Sequence, residues 1–413
     1  MKIVSLMAFI LALSTLPVIA SDSDEGRTDY PPGEYSPSLA LDSYGNPFVG
    51  WEEILGTEQN DPYFARSING GSSFLQSRVV HRDPVDQARV CVAIDSEGDP
   101  HVVYVWHQPP QKFIFYSRSH DGGFSFTTPV RVDETQCFQD RPCIVLDSAD
   151  NPIVAWIDVK NWGPNSYQNP LGSICVNRST DKGETFESRV VMDPTSTSQG
   201  FPSMAVDQND NPMVVFHDNR SGDFDIYFVR SDDGGQSYGL SIPVAKHQSE
   251  QIVFGRSCLA IDSKDNPVIV NSFLVKSSQQ WRLHLNRSTD GGKSFGIHQK
   301  LHPYKMVEKF PAIAIDSEDN LHFVCSARIP PSNLYSLFYG KLDLNDPSDP
   351  IPLLHGYKVD PSTSSQIRGA IAVDSKNDPH LSWHESKYTK PMIYYSRSAN
   401  GGASFSHAIE VYR

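Results

Sequence analysis

Seven segments of this chain obey one rule. A short apolar run ends at an aspartate, a turn of the Asp-Ser-x-x-Asn-Pro kind follows, and a second apolar run begins after the proline. The segments are "SPSLALDSYGNPFVGW" from Ser36, "RVCVAIDSEGDPHVVY" from Arg89, "RPCIVLDSADNPIVAW" from Arg141, "FPSMAVDQNDNPMVVF" from Phe201, "RSCLAIDSKDNPVIVN" from Arg256, "FPAIAIDSEDNLHFVC" from Phe310 and "RGAIAVDSKNDPHLSW" from Arg368. Their shared aspartates, Asp42, Asp95, Asp147, Asp207, Asp262, Asp316 and Asp374, are separated by 53, 52, 60, 55, 54 and 58 residues. A unit repeated at that period cannot bury its apolar faces alone, so the fold must be an array of stacked copies.

Each copy reads as four strands. The two apolar runs flanking the Asn-Pro turn form a hairpin, a third run such as "FIFYSRS" follows, and a fourth such as "TTPVRV" ends the unit. Strands of about 5 residues are of ordinary length, and no helical periodicity interrupts them. The fold class is therefore all-β: a seven-bladed β-propeller of four-stranded antiparallel blades. A solenoid is the alternative, but its end repeats are atypical, whereas the first and last copies here look like the rest. Residues 36–413 form one propeller, innermost strand first, closing by packing of the first blade on the seventh. Residues 21–35 are an N-terminal extension that could add an edge strand despite Pro31 and Pro32.

The segment before it, "MKIVSLMAFILALSTLPVIA", has Lys2, an apolar run and a Val18-x-Ala20 ending. It reads as a signal peptide over residues 1–20, implying a secreted or periplasmic monomer with no membrane contact after cleavage; a retained anchor is the alternative. Net charge is −14 without a long Lys/Arg run, so nucleic acid is not an expected partner. Of the six cysteines, Cys91, Cys143 and Cys258 align with Ser38, Ser203, Ala312 and Ala370, positions that need a small interior residue. Cys175 and Cys325 also align with interior positions, and only Cys137 is left for a bridge, to Cys143.

An octet joins the third strand to the fourth. "STDGGKSF" from Ser288 has counterparts at Ser67, Ser119, Ser179, Ser231 and Ser398, and the sixth blade has lost its copy. The octets resemble the Asp box of sialidase-like and bacterial-neuraminidase-repeat propellers. Glycine gives positive φ in a tight turn, Asp or Asn bonds nearby amides, and the last aromatic packs back between sheets. Six copies of one turn read as scaffold, so no metal or other cofactor is assigned to them. Chemistry is then expected on the opposite face of the ring.

There, six residues before each shared aspartate, stand Ser36, Arg89, Arg141, Phe201, Arg256, Phe310 and Arg368. Four arginines converging on one channel mouth would repel unless an anion or carboxylates answered them. Where the second strand reaches the same face come Glu53, Asp158, Asp218 and Glu385, with His217 and His384 one residue earlier. These carboxylates either neutralise the arginines structurally or act as catalytic acid or base beside guanidinium groups that grip an acidic sugar. Trp162 and Tyr167, in the long loop of blade three, are rim candidates for a sugar platform. His101, His322 and His380 read as interior residues, and His107 as a candidate base.

The resemblance to sialidases implies three arginines on a substrate carboxylate, a tyrosine nucleophile paired with glutamate, and an aspartate acid/base. Arg141 and Arg89 stand at the matching kind of position. The chain departs from that family in having seven blades rather than six, Ser36 in blade one, its Arg-Ile-Pro at Arg328 to Pro330 in blade six, and Tyr388 as the nearest nucleophile candidate. Three functions remain expected for an acidic glycan or polysaccharide partner. They are a sialidase-like glycoside hydrolase, a lyase on uronate polymers with His107 or Tyr104 as base, and a non-catalytic binding module.

Overall fold

The computed structural model describes residues 33–411 except 55–59, 109–110, 160–171, 195–197, 223, 246–250, 253–255, 276–279, 302–306, 329–331, 347–356, 361, 363 and 388–389. Among the described residues there is no helix, and the strands form a β-propeller of seven antiparallel blades. The first blade comprises Gly33–Leu41, Pro47–Ile54, Asn60–Arg66 and Arg78–Val79, paired in that order from the axis outward. The other blades repeat the order, with two irregularities. In the fifth, the innermost strand is split into Gln251–Ile252 and Ser257–Ile261. The second and third are stitched into one sheet by a parallel bridge, Lys112 to Phe138.

The strands are not of equal length. The second and third strands run six to nine residues, whereas the outermost ones run two to four, as in Val130–Arg131 and Ile242–Ala245. An outermost strand has a partner on one side only, and a short one limits the open edge presented to other chains.

Both ends of the ring are contiguous blades. The innermost strand Gly33–Leu41 packs on the seventh blade, and one apolar core joins blades one, six and seven through Leu39, Trp51, Tyr339, Leu381, Trp383 and Tyr395. The octets act at the same joints. In five of the six octets the last glycine seats against an aromatic ring of the preceding blade: a Cβ on Gly71 would lie 2.1 Å from the Tyr395 hydroxyl, and one on Gly123 2.3 Å from the Phe64 ring. The last aromatic of the octet then meets the same ring edge-on, as Phe74 meets Tyr395 and Phe126 meets Phe64.

All six cysteines are free. Five are buried and Cys137 is half-buried, so no Cys137–Cys143 bridge is formed. The small-residue positions meet at the blade joints, where the Ser38 hydroxyl lies 3.9 Å from the Cys91 sulfur. His101, His322 and His380 are fully buried, each hydrogen-bonded to a tyrosine hydroxyl (Tyr116, Tyr339, Tyr395) and within 3.0 to 3.6 Å of the aspartate of its own turn.

Candidate functional site

The residues six before each turn aspartate gather around the axis on the face opposite the octets. Six of them sit at an irregularity where two residues of the innermost strand oppose one of the second, for example between Ala88 and Cys91. Ser36, Arg89, Arg141, Phe201, Phe310 and Arg368 all have left-handed φ, between 53° and 60°. A residue with a Cβ pays about 1–2 kcal/mol for that conformation, and a bulge of this kind re-aims a side chain. The bulge amides are satisfied by side chains: Arg89 N–H donates to Glu52 of blade one, Arg141 N–H to Asp140, and Arg368 N–H to Ser326 of blade six.

The re-aimed side chains meet around the axis. Arg368 donates to the Ser36 hydroxyl at 2.9 Å, the Arg141 guanidinium lies 4.1 Å from the Phe201 ring centroid, and Phe310 stands between Arg256 and Arg368 at 6.0 and 5.7 Å. The four arginines are between 3 and 8% exposed. Burial, and then the charges of Arg256 and Arg368, hold Arg141 well below the usual arginine range. Burial, then Arg368 opposed by Cys258 and reinforced by Arg89, brings Arg256 down to about 9. Guanidinium groups from four blades thus act on one another across the axis. His217 and His384, both buried, are lowered to about 3, first by burial and then by Arg141 and Arg368 respectively. His217 also packs on Phe201, and its Nε2 lies 2.8 Å from the Ser257 hydroxyl.

The carboxylates take different places. Asp158 binds Arg189 at 2.6 Å, Asp218 binds Arg220 at 2.6 Å, and Glu385 accepts from Gln366 and Trp383, both at 3.4 Å, and from the Ser362 hydroxyl. Glu53 is buried opposite Glu34 of the innermost strand. Trp162, Tyr167 and Tyr388 lie outside the described residues, as do residues 1–32. Arg328 ends a strand of blade six, bonded to Asn333.

Blade two contributes a cluster that repeat alignment does not bring out. Asp140, of blade three, binds Arg89 at 3.2 Å and Lys112 at 3.1 Å. Burial pushes its carboxyl up, but Lys112 and Arg89 outweigh that and hold it at about 2. His107, half-buried, is lowered to about 4 by burial and then by Lys112, with Asp140 opposing. It pairs in register with Asp86, whose carboxyl is raised, chiefly by burial. Tyr104 instead lies inside the joint between blades one and two, fully buried and stacked on Phe115. A second set, Gln87, Gln139, Gln199 and Gln366, recurs two residues before the ring position. Three of these accept a backbone N–H from the preceding blade, at Ile114, Ile174 and Leu337. That recurrence is visible in the repeats.

No protein-family model and no curated protein matches this sequence. Proteins of known structure do resemble the fold. An ulvan lyase of a polysaccharide lyase family aligns with a TM-score of 0.61 at 14% identity, over 88% of this chain and 94% of its own. A protein of unknown function from Dyadobacter fermentans aligns at 0.54 and 14% identity, over 92% and 97%. A mutant sialidase from Streptococcus pneumoniae aligns at 0.53 and 9% identity, over 79% and 71%.

Proposed function

We propose that this chain is an exported propeller that binds carboxylate-bearing glycans at the ring of Arg89, Arg141, Arg256 and Arg368. The observation that carries the reading is the mutual approach of four buried guanidinium groups from four blades, since buried like charges are stabilised by an anion that several of them share. His217 and His384, neutral at physiological pH, add hydrogen-bonding groups without adding repulsion. The fold likeness supports a glycan partner, because the ulvan lyase has been crystallised bound to a glucuronate and 3-sulfated rhamnose repeat. Calorimetric titration with glucuronate-containing oligosaccharides tests it. Replacing Arg89 and Arg141 together by alanine weakens binding, and unchanged affinity overturns the anion site.

A second reading, a lyase acting on uronate polymers, rests on the blade-two cluster. His107 pairs in register with Lys112, which shares Asp140 with Arg89, so a neutral imidazole that could take the α-proton stands in one cluster with a cation that a uronate carboxylate could draw from Asp140. A sialidase-like hydrolase would instead draw its acid from Asp158, Asp218 or Glu385. Incubation separates them: the lyase leaves an ultraviolet-absorbing unsaturated end on uronate polymers, the hydrolase frees sialic acid from sialosides, and a binding module does neither.

A further inference from the structure

The ring is not surrounded evenly. In blades two, four, five and six, the third-strand residues facing the inner hairpin just past its turn are Arg118, Arg230, Arg287 and Lys341. Six residues back from these, at the arginine face, stand Lys112, Phe224, Trp281 and Tyr335. Between blades two and three this position is sealed, because Lys112 and Asp140 form a buried ion pair. Between blades five and six the corresponding pair is Trp281 with Lys309, whose ammonium lies 5.1 Å from the indole centroid. In blade six, Tyr335 is joined by Arg328 at 5.8 Å from its ring.

Trp281 and Tyr335 are half-buried and belong to none of the apolar core clusters of the described residues, whereas Phe224 leans on one. Leu334, beside Tyr335, is 47% exposed. The platform is continuous with the ring through the chain itself, since Lys309 immediately precedes Phe310, the residue between Arg256 and Arg368. A flat aromatic face with a cation beside it suits a sugar ring that carries an acid group, and two such units occur on adjacent blades.

We infer that the ligand is an extended acidic polysaccharide, not a lone terminal acidic sugar: one acid group sits in the arginine ring, and the following sugars lie over Trp281 and Tyr335, with Lys309 and Arg328 meeting their acid groups. This rests on the anion reading of the ring. It places the chain over blades five and six rather than along the paired Lys112 and Asp140 of blades two and three, and so favours the binding reading over the lyase reading.

The test is calorimetric titration of the full mature chain with a glucuronate-containing disaccharide, tetrasaccharide and octasaccharide. Affinity rises with length in the wild type. Trp281→Ala and Lys309→Gln each lower octasaccharide affinity by about tenfold and leave the disaccharide unchanged, while Trp281→Phe keeps most of the length dependence. If the disaccharide binds in an Arg141-dependent way but the octasaccharide binds no tighter, or binds the variants as it binds the wild type, the platform is refuted and the ring reading stands. If no length binds the wild type, both fall.

Discussion

The two faces of the ring differ in how they hold charge. On the octet face, side chains satisfy amides two to four residues away: the Ser119 hydroxyl accepts from the N–H groups of Asp121 and Gly123, and Asp121 accepts from the N–H and hydroxyl of Ser125. The same pattern recurs at Ser179, Ser231 and Ser288. Side chains cross between blades on both faces, as Ser96 does to Asp150 on the octet side, but only on the arginine face do charges of one sign face each other across the axis among the described residues. Local satisfaction, repeated, describes a scaffold. Like charges gathered from four blades describe the face to which the anion is assigned.

Three substitutions sharpen that contrast. The largest expected effect is on the octet face. Gly71→Ala combines a left-handed φ of 83° with a Cβ 2.1 Å from Tyr395 at the joint that closes the ring. It destabilises by about 3 kcal/mol or more, read by urea denaturation, with glycan affinity of the folded fraction unchanged. Next is a pH effect on the arginine face. The buried imidazoles of His217 and His384 are harder to protonate than those of the unfolded chain, so the unfolded state binds more protons and stability is lost as pH falls from about 6.5 towards 3. His217→Gln reduces that slope in denaturation curves taken across the window; an unaltered slope refutes the buried neutral imidazole. The smallest is Ser119→Ala, which leaves the Gly123 N–H without its acceptor and costs about 1–2 kcal/mol of stability, again without an effect on binding.

The fold was legible because its determinants are local and repeated. An Asp-x-x-x-Asn-Pro turn and a glycine-bearing octet each fix their own few residues, so seven copies of the turn and six of the octet specify seven blades before any long-range contact is known. The arginine ring was legible for a related reason: one position, counted from the turn, recurs at the start of each innermost strand. The Lys112–Asp140–Arg89 cluster was not, because it joins single positions of two blades that no other repeat copies. Trp281 and Tyr335 escaped because the loops before the third strands differ in length, and only the paired register aligns them. The left-handed bulges were hidden too, since they fall on Arg, Phe and Ser rather than glycine.

The most direct measurement is thermal unfolding of the wild type and of the Arg141→Ala/Arg256→Ala variant, each with and without a glucuronate oligosaccharide. Without ligand, the variant should be no less stable than the wild type, because lost packing is offset by relieved repulsion. Ligand at about 100 times its Kd should stabilise the wild type by about 2.7 kcal/mol and the variant hardly at all. Equal ligand-induced shifts in the two proteins, or none in the wild type, would contradict an anion held by the guanidinium ring.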